Sequence, residues 1–310
     1  MLPALHTFQH KIYDRHGRMV ILRGVNLGGD CKVPYPDGGT QHPTDFADHR
    51  NVSFIGRPFP LSEAHEHLQR LRHWGFNCLR LLTTWEAIEH SGPAEYDQAY
   101  LDYYTEVCRL AGEYDFYVFV DFHQDVWSRM SGGDGAPGWI FDVVGMDLTK
   151  LDAADAAITM QRRYDYDDPR GEQPENYARM CWSQNYRYPA NAILWSLFFA
   201  GREITPDFQL TLEPQLHDVA RDMDPTLENT NFSKVNIQDY LQCHYLGCLR
   251  EVARRVQEQT HVMGFDSLNE PSRGRTDPYP ERLRSEMSIA FWFRSIGGAV
   301  NGAPGKLHTD

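Results

Sequence analysis

Short apolar strands that alternate with helical stripes constrain the fold of this chain more than any other feature. The four predicted strands are residues 20–29, 76–82, 116–122 and 262–268. Each of the last three follows a stretch whose apolar residues recur at helical spacing. Strands that are apolar on both faces and separated by helices are typical of a parallel sheet in an α/β fold.

A long segment separates the third predicted strand from the helix before the fourth. It spans about residues 128–238, and its centre at 164–174 is acidic, contains prolines and shows no period. A connection of this length after a barrel strand belongs on the catalytic face. At the two ends, Phe8–Tyr13 is predicted to pair with Met19–Leu22 as a hairpin, and 288–310 is expected to be an atypical tail.

Composition and charge exclude several classes of function. The chain of 310 residues has a formal charge of −13 and no block of Lys and Arg, so nucleic acid is not an expected partner. No signal peptide is recognised, and the apolar run at 192–200 is too short to span a bilayer. Six cysteines without a C-x-x-C pair favour a reducing compartment. We therefore expect an intracellular protein, cytoplasmic or vacuolar.

The strongest sign of chemistry is Asn269-Glu270-Pro271 at the end of the fourth strand. A carboxylate follows an amide there, and the proline ends the strand ladder. An ionisable residue at the carboxyl end of a barrel strand points at the substrate site. A plain turn built from these three residues is the structural alternative, and the motif alone does not decide between them.

The other strands also carry polar groups towards the same rim. Arg80 lies inside the second strand, where a guanidinium is costly unless a carboxylate meets it. The third strand runs into Asp-Phe-His-Gln-Asp at 121–125, and Lys32 follows the first. Each residue alone also fits a structural hydrogen bond, but together they favour a site.

Two weaker motifs have plain interpretations. Residues 133–138 spell G-x-G-x-x-G, but a dinucleotide site needs this motif directly between a strand and a helix. Its position and Pro137 favour a loop on the substrate face instead. His65 and His67 point in different directions on a helix, so a solvated helix face is expected rather than a metal pair.

Four motifs, one at each strand, resemble glycoside hydrolase family 5 in their order and placement. They are Arg-Gly-Val-Asn-Leu-Gly-Gly (23–29), Gly-Phe-Asn-Cys-Leu-Arg-Leu (75–81), Asp-Phe-His-Gln (121–124) and Leu-Asn-Glu-Pro (268–271). Residues 121–128, 135–139 and 197–201 are similar to its endoglycoceramidase-related branch. Fungal members of that branch hydrolyse glucosylceramide or steryl β-glucosides inside the cell.

The resemblance implies a (β/α)8 TIM barrel, which is an α/β fold of eight strands and eight helices. This chain would supply roughly the first half, with its first four strands, plus the long insertion after the third. Residues 1–287 would form the N-terminal part of the barrel, 128–238 an insertion on the substrate face, and 288–310 the tail. Within the insertion, the apolar run at 192–200 would be either plain core or a path for a lipid aglycone.

The resemblance also implies roles in a retaining β-glycosidase that hydrolyses a lipid-linked β-glucoside by double displacement. Glu270 would be the catalytic acid/base, and Asn269 would hold the 2-hydroxyl of the sugar. Arg80 would order the carboxylates of the site. Members of the family need no metal or organic cofactor. The residues expected to line the glucose-binding subsite are Lys32, His123, Asp125 and Trp139.

The second carboxylate that this mechanism needs is not recognised in the sequence. In the family the nucleophile is a Glu on the seventh strand, and the acids after Glu270 lie in helix-like or tail sequence. We therefore expect the nucleophile to lie outside this chain and the chain to be part of a longer enzyme. The expected partner is a glycolipid, glucosylceramide or a steryl glucoside, with transient contact to a membrane surface. A cellulase-type β-glucanase and a catalytically silent fragment are the alternatives.

Overall fold

A four-stranded parallel sheet forms the centre of the computed structural model, which describes residues 2–35, 48–159, 182–226 and 232–271. Neighbouring strands in the sheet are also neighbours in the sequence, in the order β1 to β4. The register places Asn26 opposite Arg80 and places Asp121 opposite Asp266, so polar residues align across the sheet. The strands are β1 (Gly24–Leu27), β2 (Cys78–Thr83), β3 (Tyr117–Phe122) and β4 (Val262–Asp266).

Helices connect these strands and cover the sheet. The helices are α1 (Leu61–His73), α2 (Trp85–Glu89), α3 (Gln98–Glu113), α4 (Trp139–Val144), α5 (Pro189–Ile204), α6 (His217–Met223) and α7 (Ile237–Val256). Helix α3 packs between α1 and α7. Its first turn is capped by the side chain of Asp97, which accepts a hydrogen bond from the backbone N–H of Tyr100. The two crossovers α1 and α3 therefore follow the strand–helix alternation that the sequence predicts.

The core lies between the sheet and these helices. Leu79 and Leu81 of β2 and Val118 and Val120 of β3 have no exposed area. Burial on this scale is the main favourable contribution to folding, since each apolar side chain leaves water. The apolar strands thus fix the sheet, and the polar residues at their ends are left to face one rim.

The predicted hairpin near the N-terminus is wrong in its pairing. Leu5–Phe8 pairs with Lys11–Asp14, and the predicted second arm is reduced to one bridge between Tyr13 and Met19. The side chain of Asp14 accepts hydrogen bonds from the backbone N–H groups of His16 and Arg18, which closes a second tight turn. This local competition between side chain and backbone ends the ladder early.

The segment predicted as an insertion is built of short elements where it is described. It contains the strand pair Gln209–Leu210 with Val235–Asn236 and the helices α4, α5 and α6. Its strand Asp134–Gly135 pairs with Val126–Trp127, which lies just before the predicted start of the insertion. Helix α5 packs against α7, and its Leu194, Trp195 and Phe198 are buried. The apolar run inside α5 is therefore largely core. The acidic centre at 164–174 and the tail at 288–310 lie outside the described residues.

The α/β class with a parallel sheet is as predicted, but a closed barrel is not seen. In the described ranges the main sheet has four strands and ends at β1 on one side and β4 on the other. None of the helices in those ranges is both long and apolar enough to cross a membrane. The remaining elements are 3-10 turns at Gly29–Lys32, Arg129–Ser131, Leu148–Lys150, Trp182–Arg187 and Pro214–Leu216.

Candidate active site

Arg80 gathers three polar side chains at the carboxyl ends of the strands. Its Nη2 atom lies 3.0 Å from Asp121 Oδ1, 3.0 Å from Asp266 Oδ2 and 3.0 Å from Asn269 Oδ1. Asp121 is completely buried, so its negative charge requires such a partner. The arginine inside an apolar strand therefore meets the carboxylates that its position predicts, and it links β2, β3 and β4.

A second group of charges continues from Asp121 towards Lys32. His123 Nδ1 lies 2.8 Å from Asp121 Oδ2, and His123 Nε2 lies 3.3 Å from Asp125 Oδ2. The ammonium group of Lys32 donates a hydrogen bond to Asp125 Oδ2 and lies 3.9 Å from Asp134 Oδ2. Arg80, Asp121, His123, Asp125 and Lys32 thus form a chain of alternating cations and anions, here called the rim chain.

Electrostatics fix the protonation of this chain. Burial lowers the pKa of His123, but its hydrogen bonds to Asp121 and Asp125 outweigh burial and raise the pKa to about 9. Burial raises the pKa of Asp125, yet the hydrogen bonds from His123 and Lys32 hold it below its ordinary value. Burial and the charge of Asp125 raise the pKa of Asp134. At neutral pH the rim chain therefore presents an imidazolium, an ammonium and ionised Asp125.

Glycines allow the loop after β3 to approach itself closely. Asp125 and Asp134 exchange two backbone hydrogen bonds, with N–O distances of 3.2 and 2.9 Å. A Cβ atom at Gly133 would collide with the backbone oxygen of Asp125, and one at Gly135 would collide with the Cβ of Gln124. Gly135 also has a φ of +118°, which other residues rarely adopt. The G-x-G-x-x-G motif thus serves tight packing beside the rim chain. It connects the two-residue strand Asp134–Gly135, which lies outside the main sheet, to the N-terminus of α4, where Gly138 is the N-cap.

Glu270 follows β4 and is exposed beside this network, whereas Asn269 before it is buried. The amide oxygen of Asn269 accepts from Arg80, and its Nδ2 donates to the backbone oxygen of Gln124 over 2.9 Å. Both the oxygen and the nitrogen of the Asn269 side-chain amide are therefore hydrogen-bonded within the protein. Its predicted contact with a sugar hydroxyl stays a prediction.

Trp139 is a predicted site residue that makes no described contact with the rim chain. Its side chain is 1% exposed, and its indole N–H donates to the backbone oxygen of Glu89 over 2.7 Å. The ring packs edge-on against Trp85 and His244. Trp139 therefore belongs to the core in this structure. Its predicted role in lining the glucose-binding subsite stays a prediction.

Several residues of the site were missed in the sequence. Asp121 and Gln124 lie inside a recognised motif, so their position at a strand end was an available signal. Asp134 reaches the rim through a loop that has no periodicity, and no sequence signal marks it. Tyr186 also comes from the insertion, and burial together with the charges of Asp125, Glu270 and Asp134 raises the pKa of its hydroxyl. The hydroxyl of Tyr186 therefore lies within electrostatic reach of all three carboxyl groups.

Three side chains of the site lie close enough together to hold a metal ion. Ligand atoms of His123, Asp125 and Asp134 are all within 4.8 Å of one another. However, the ammonium of Lys32 bonds to Asp125 and lies beside Asp134, so the protein itself supplies the positive charge there. The set of donors fits the ammonium better than a divalent ion, and the expectation of no metal or cofactor stays a prediction.

A separate buried cluster ties the insertion to α2 and α7. His244 Nδ1 lies 2.7 Å from Glu89 Oε1, and His244 Nε2 lies 2.9 Å from Glu213 Oε2. Trp85 donates to the second oxygen of Glu89 over 2.6 Å. Burial lowers the pKa of His244, but the charges and hydrogen bonds of both glutamates raise it to about 9. The cluster is therefore an ion triad that depends on the proton of His244.

Both histidines make stability depend on pH. Their folded pKa of about 9 lies above the ordinary value of 6.5, so the folded state binds more protons between these values. Their stabilisation is complete below pH 6.5 and is lost as the pH rises through 9. We expect the free energy of unfolding to fall from pH 7 to pH 9.5, by at most about 1.4 kcal/mol per pH unit for each histidine.

Urea denaturation at pH 6, 7, 8 and 9.5 measures this slope. The substitution His244→Gln is expected to remove about half of it, whereas His73→Gln on the exposed face of α1 serves as the control and is expected to leave it unchanged. A free energy of unfolding that stays constant from pH 7 to pH 9.5 in the unsubstituted chain would contradict the protonated state of both histidines.

The charged rim lies where parallel α/β folds carry their active sites. Charged groups at the carboxyl ends of barrel strands usually belong to the catalytic face. The family model described as Cellulase (glycosyl hydrolase family 5) matches residues 40–169. This match and the relatives below confirm the resemblance to that family and to its fungal glucosylceramidases and steryl glucosidases.

The sequence similarity to individual relatives extends over most of this chain. It is 39% identical over 267 residues to a glucosylceramidase of Aspergillus fumigatus and 35% identical over 280 residues to the ergosteryl-beta-glucosidase of Saccharomyces cerevisiae, in each case over 84% of the chain. The crystal structure of Cryptococcus neoformans sterylglucosidase 1 with tris is similar with a TM-score of 0.72 and 36% identity, over 88% of this chain and 36% of that one. The chain spans about one third of the length of the curated relatives it matches.

Proposed function

We propose that this chain carries the acid/base half of the active site of a retaining β-glycosidase that acts on a lipid-linked β-glucoside. The observation that carries the proposal is the position of Glu270, exposed at the end of β4 and beside the rim chain. The likeness to a glucosylceramidase and to an ergosteryl-beta-glucosidase supports a glycolipid substrate. The aglycone is then a ceramide or a sterol, and its release brings this face into transient contact with a membrane surface.

The chemistry assigns a role to each charged group. Glu270 protonates the leaving oxygen in the first step and removes a proton from water in the second. Lys32 offers N–H donors and ionised Asp125 offers an acceptor to the hydroxyl groups of one glucose unit. His123 lines the same subsite and orients Asp125, because its two N–H groups donate to Asp121 and Asp125. Arg80 acts through Asp121 and Asn269, because it fixes both of them and does not need to touch the sugar.

The nucleophile of this mechanism is proposed to lie outside the described residues. The acids at the ends of the described strands are engaged, since Asp121 and Asp266 contact Arg80 and Asp125 contacts His123 and Lys32. We further propose that β1 to β4 are the first four strands of a (β/α)8 barrel, in residues 1–287, with 128–238 as an insertion over the catalytic face.

A glycosyl-transfer assay tests the function of the chain itself. Without a nucleophile, β-glucosides are not hydrolysed with retention, but α-glucosyl fluoride mimics the missing intermediate. Its C1–F bond breaks, fluoride leaves, C1 bonds to the oxygen of an added alcohol, and Glu270 takes the proton of that alcohol. We expect transfer to ceramide or ergosterol in detergent micelles and little transfer to cellobiose.

Each result decides between the candidates. Transfer to cellobiose alone would favour a cellulase-type enzyme over a glycolipid hydrolase. Release of glucose from glucosylceramide by the chain alone would show that the nucleophile is present after all. A folded chain that performs neither reaction would overturn the glycosidase proposal and support a catalytically silent protein.

A further inference from the structure

Gln124, just after β3, forms a closed hydrogen-bonded pair with the end of β4. Its side-chain amide nitrogen donates to the backbone oxygen of Asn269 and, over 3.0 Å, to the backbone oxygen of Glu270. In return, Asn269 Nδ2 donates to the backbone oxygen of Gln124 over 2.9 Å. One buried side chain thus holds both carbonyl groups that flank the backbone nitrogen and Cα of Glu270.

Glu270 needs such support because its backbone is strained. Its φ is +38°, in the left-handed region that residues with a Cβ rarely adopt. The following Pro271 further restricts its conformation, since a residue before proline is disfavoured in helical regions. Conformations of this kind are unfavourable and persist only where their surroundings impose them.

Gln124 is itself held firmly in place. It is 5% exposed, and Gly135 approaches it so closely that a Cβ at that position would collide with the Cβ of Gln124. The backbone N–H of the preceding His123 donates to the backbone oxygen of Thr83 over 2.8 Å, which anchors this end of β3 to β2. The amide of Gln124 is therefore a fixed support.

We propose that Gln124 is the positioning residue of Glu270: by holding the backbone oxygens of Asn269 and Glu270, it keeps Glu270 in its left-handed conformation and so directs the carboxyl group. This inference rests on the proposed acid/base function of Glu270. Gln124 does not need to contact the substrate, so its removal lowers turnover through geometry and leaves sugar binding intact.

An NMR signal reports on this geometry without any activity. The dipeptide Asn–Glu occurs once in the sequence, at 269–270. Labelling asparagine with carbonyl-¹³C and glutamate with ¹⁵N therefore gives a single peak, from the Asn269 carbonyl and the Glu270 amide. In Gln124→Leu we expect the carbonyl signal to move upfield, as the hydrogen bond is lost, and the peak to broaden or split.

Gln242→Leu is the matched control. Gln242 Nε2 likewise donates to a backbone oxygen, that of Phe198 over 2.7 Å, but it lies on α7 outside the rim chain. We expect this variant to keep the Asn269–Glu270 peak and the rate of glucosyl transfer. For Gln124→Leu we expect transfer to fall by about 100-fold, the loss that a misplacement of 1 Å produces, with an unchanged KM for α-glucosyl fluoride.

The substitution Gln124→Glu distinguishes a positioning role from a general structural role. It also provides a test of the proposal if Gln124→Leu does not fold. An ionised carboxylate cannot donate to the two carbonyl groups, whereas a protonated one can donate to one of them. Transfer by Gln124→Glu is therefore expected to recover partly at acidic pH relative to the unsubstituted chain, which a loss of packing alone would not produce.

The outcomes distinguish this inference from the proposed function. An unmoved peak in both Gln124 variants would overturn the positioning role, and so would a moved peak with an unchanged transfer rate. If the unsubstituted chain performs no transfer, the proposed function fails and the catalytic part of the inference fails with it. The NMR peak then still decides whether Gln124 holds the backbone of Glu270.

Discussion

Glu270→Gln is expected to lower glucosyl transfer from α-glucosyl fluoride by about 10²–10⁴-fold, the usual contribution of a general base. The amide has nearly the same size as the carboxylate but cannot take the proton of the attacking alcohol. Because Glu270 is exposed, the free energy of unfolding should change by no more than about 0.5 kcal/mol. The expected signature is therefore a loss of rate without a loss of fold.

Initial rates of fluoride release with and without an acceptor alcohol measure this effect. Glu258→Gln is a suitable control, because Glu258 is also exposed but lies beyond the end of α7. The control is expected to keep the full rate. A Glu270→Gln chain that transfers glucose as fast as the control would remove Glu270 from the mechanism.

The largest effect on stability is expected at the buried ion pair of Glu86 and Arg129. Arg129 Nε lies 2.7 Å from Glu86 Oε1, and the two side chains are 2% and 1% exposed. Burial raises the pKa of Glu86, and the positive charge of Arg129 lowers it by less. Arg129→Met leaves this carboxyl group without its cation in the interior, so we expect the free energy of unfolding to fall by about 3–5 kcal/mol.

A double-mutant cycle in urea tests this interpretation. Glu86→Gln combined with Arg129→Met removes the unpaired charge and is expected to recover part of the lost free energy. Arg109→Met is the exposed comparison, since Arg109 pairs with Glu106 and Glu113 on the surface of α3 and should cost about 1 kcal/mol or less. Equal losses for Arg129→Met and Arg109→Met would show that the buried pair contributes no more than a surface pair.

The sequence predicted the central sheet well because its strands are marked twice, by apolar residues and by the helices between them. Strand β3 lies within its predicted range and β2 extends one residue beyond its range, to Thr83, whereas β1 is much shorter than predicted. The N-terminal hairpin failed for a different reason. There the side chain of Asp14 competes for backbone N–H groups, and no hydrophobic period reveals that competition.

Site residues at strand ends could be predicted from the sequence, because the carboxyl ends of parallel strands lie at one edge of the sheet. Arg80, His123, Asp125, Lys32 and Asn269 do meet there. Residues that arrive through the insertion could not be placed in this way, since a loop has no register. Asp134 and Tyr186 were therefore missed, because the insertion shows no hydrophobic period there. Trp139 was expected to line the sugar subsite, but its indole packs in the core.

The alternation of sign along the rim chain has a consequence for how the site responds to salt. In the rim chain Arg80, His123 and Lys32 alternate with Asp121 and Asp125, and Asp266 beside Arg80 supplies a third anion. These six groups together carry almost no net charge although the chain as a whole has −13. These partners lie far closer together than a Debye length of about 10 Å, so dissolved ions hardly screen them. Under the proposed function, an uncharged sugar would meet local dipoles and not a long-range field. Its capture should thus be nearly independent of ionic strength.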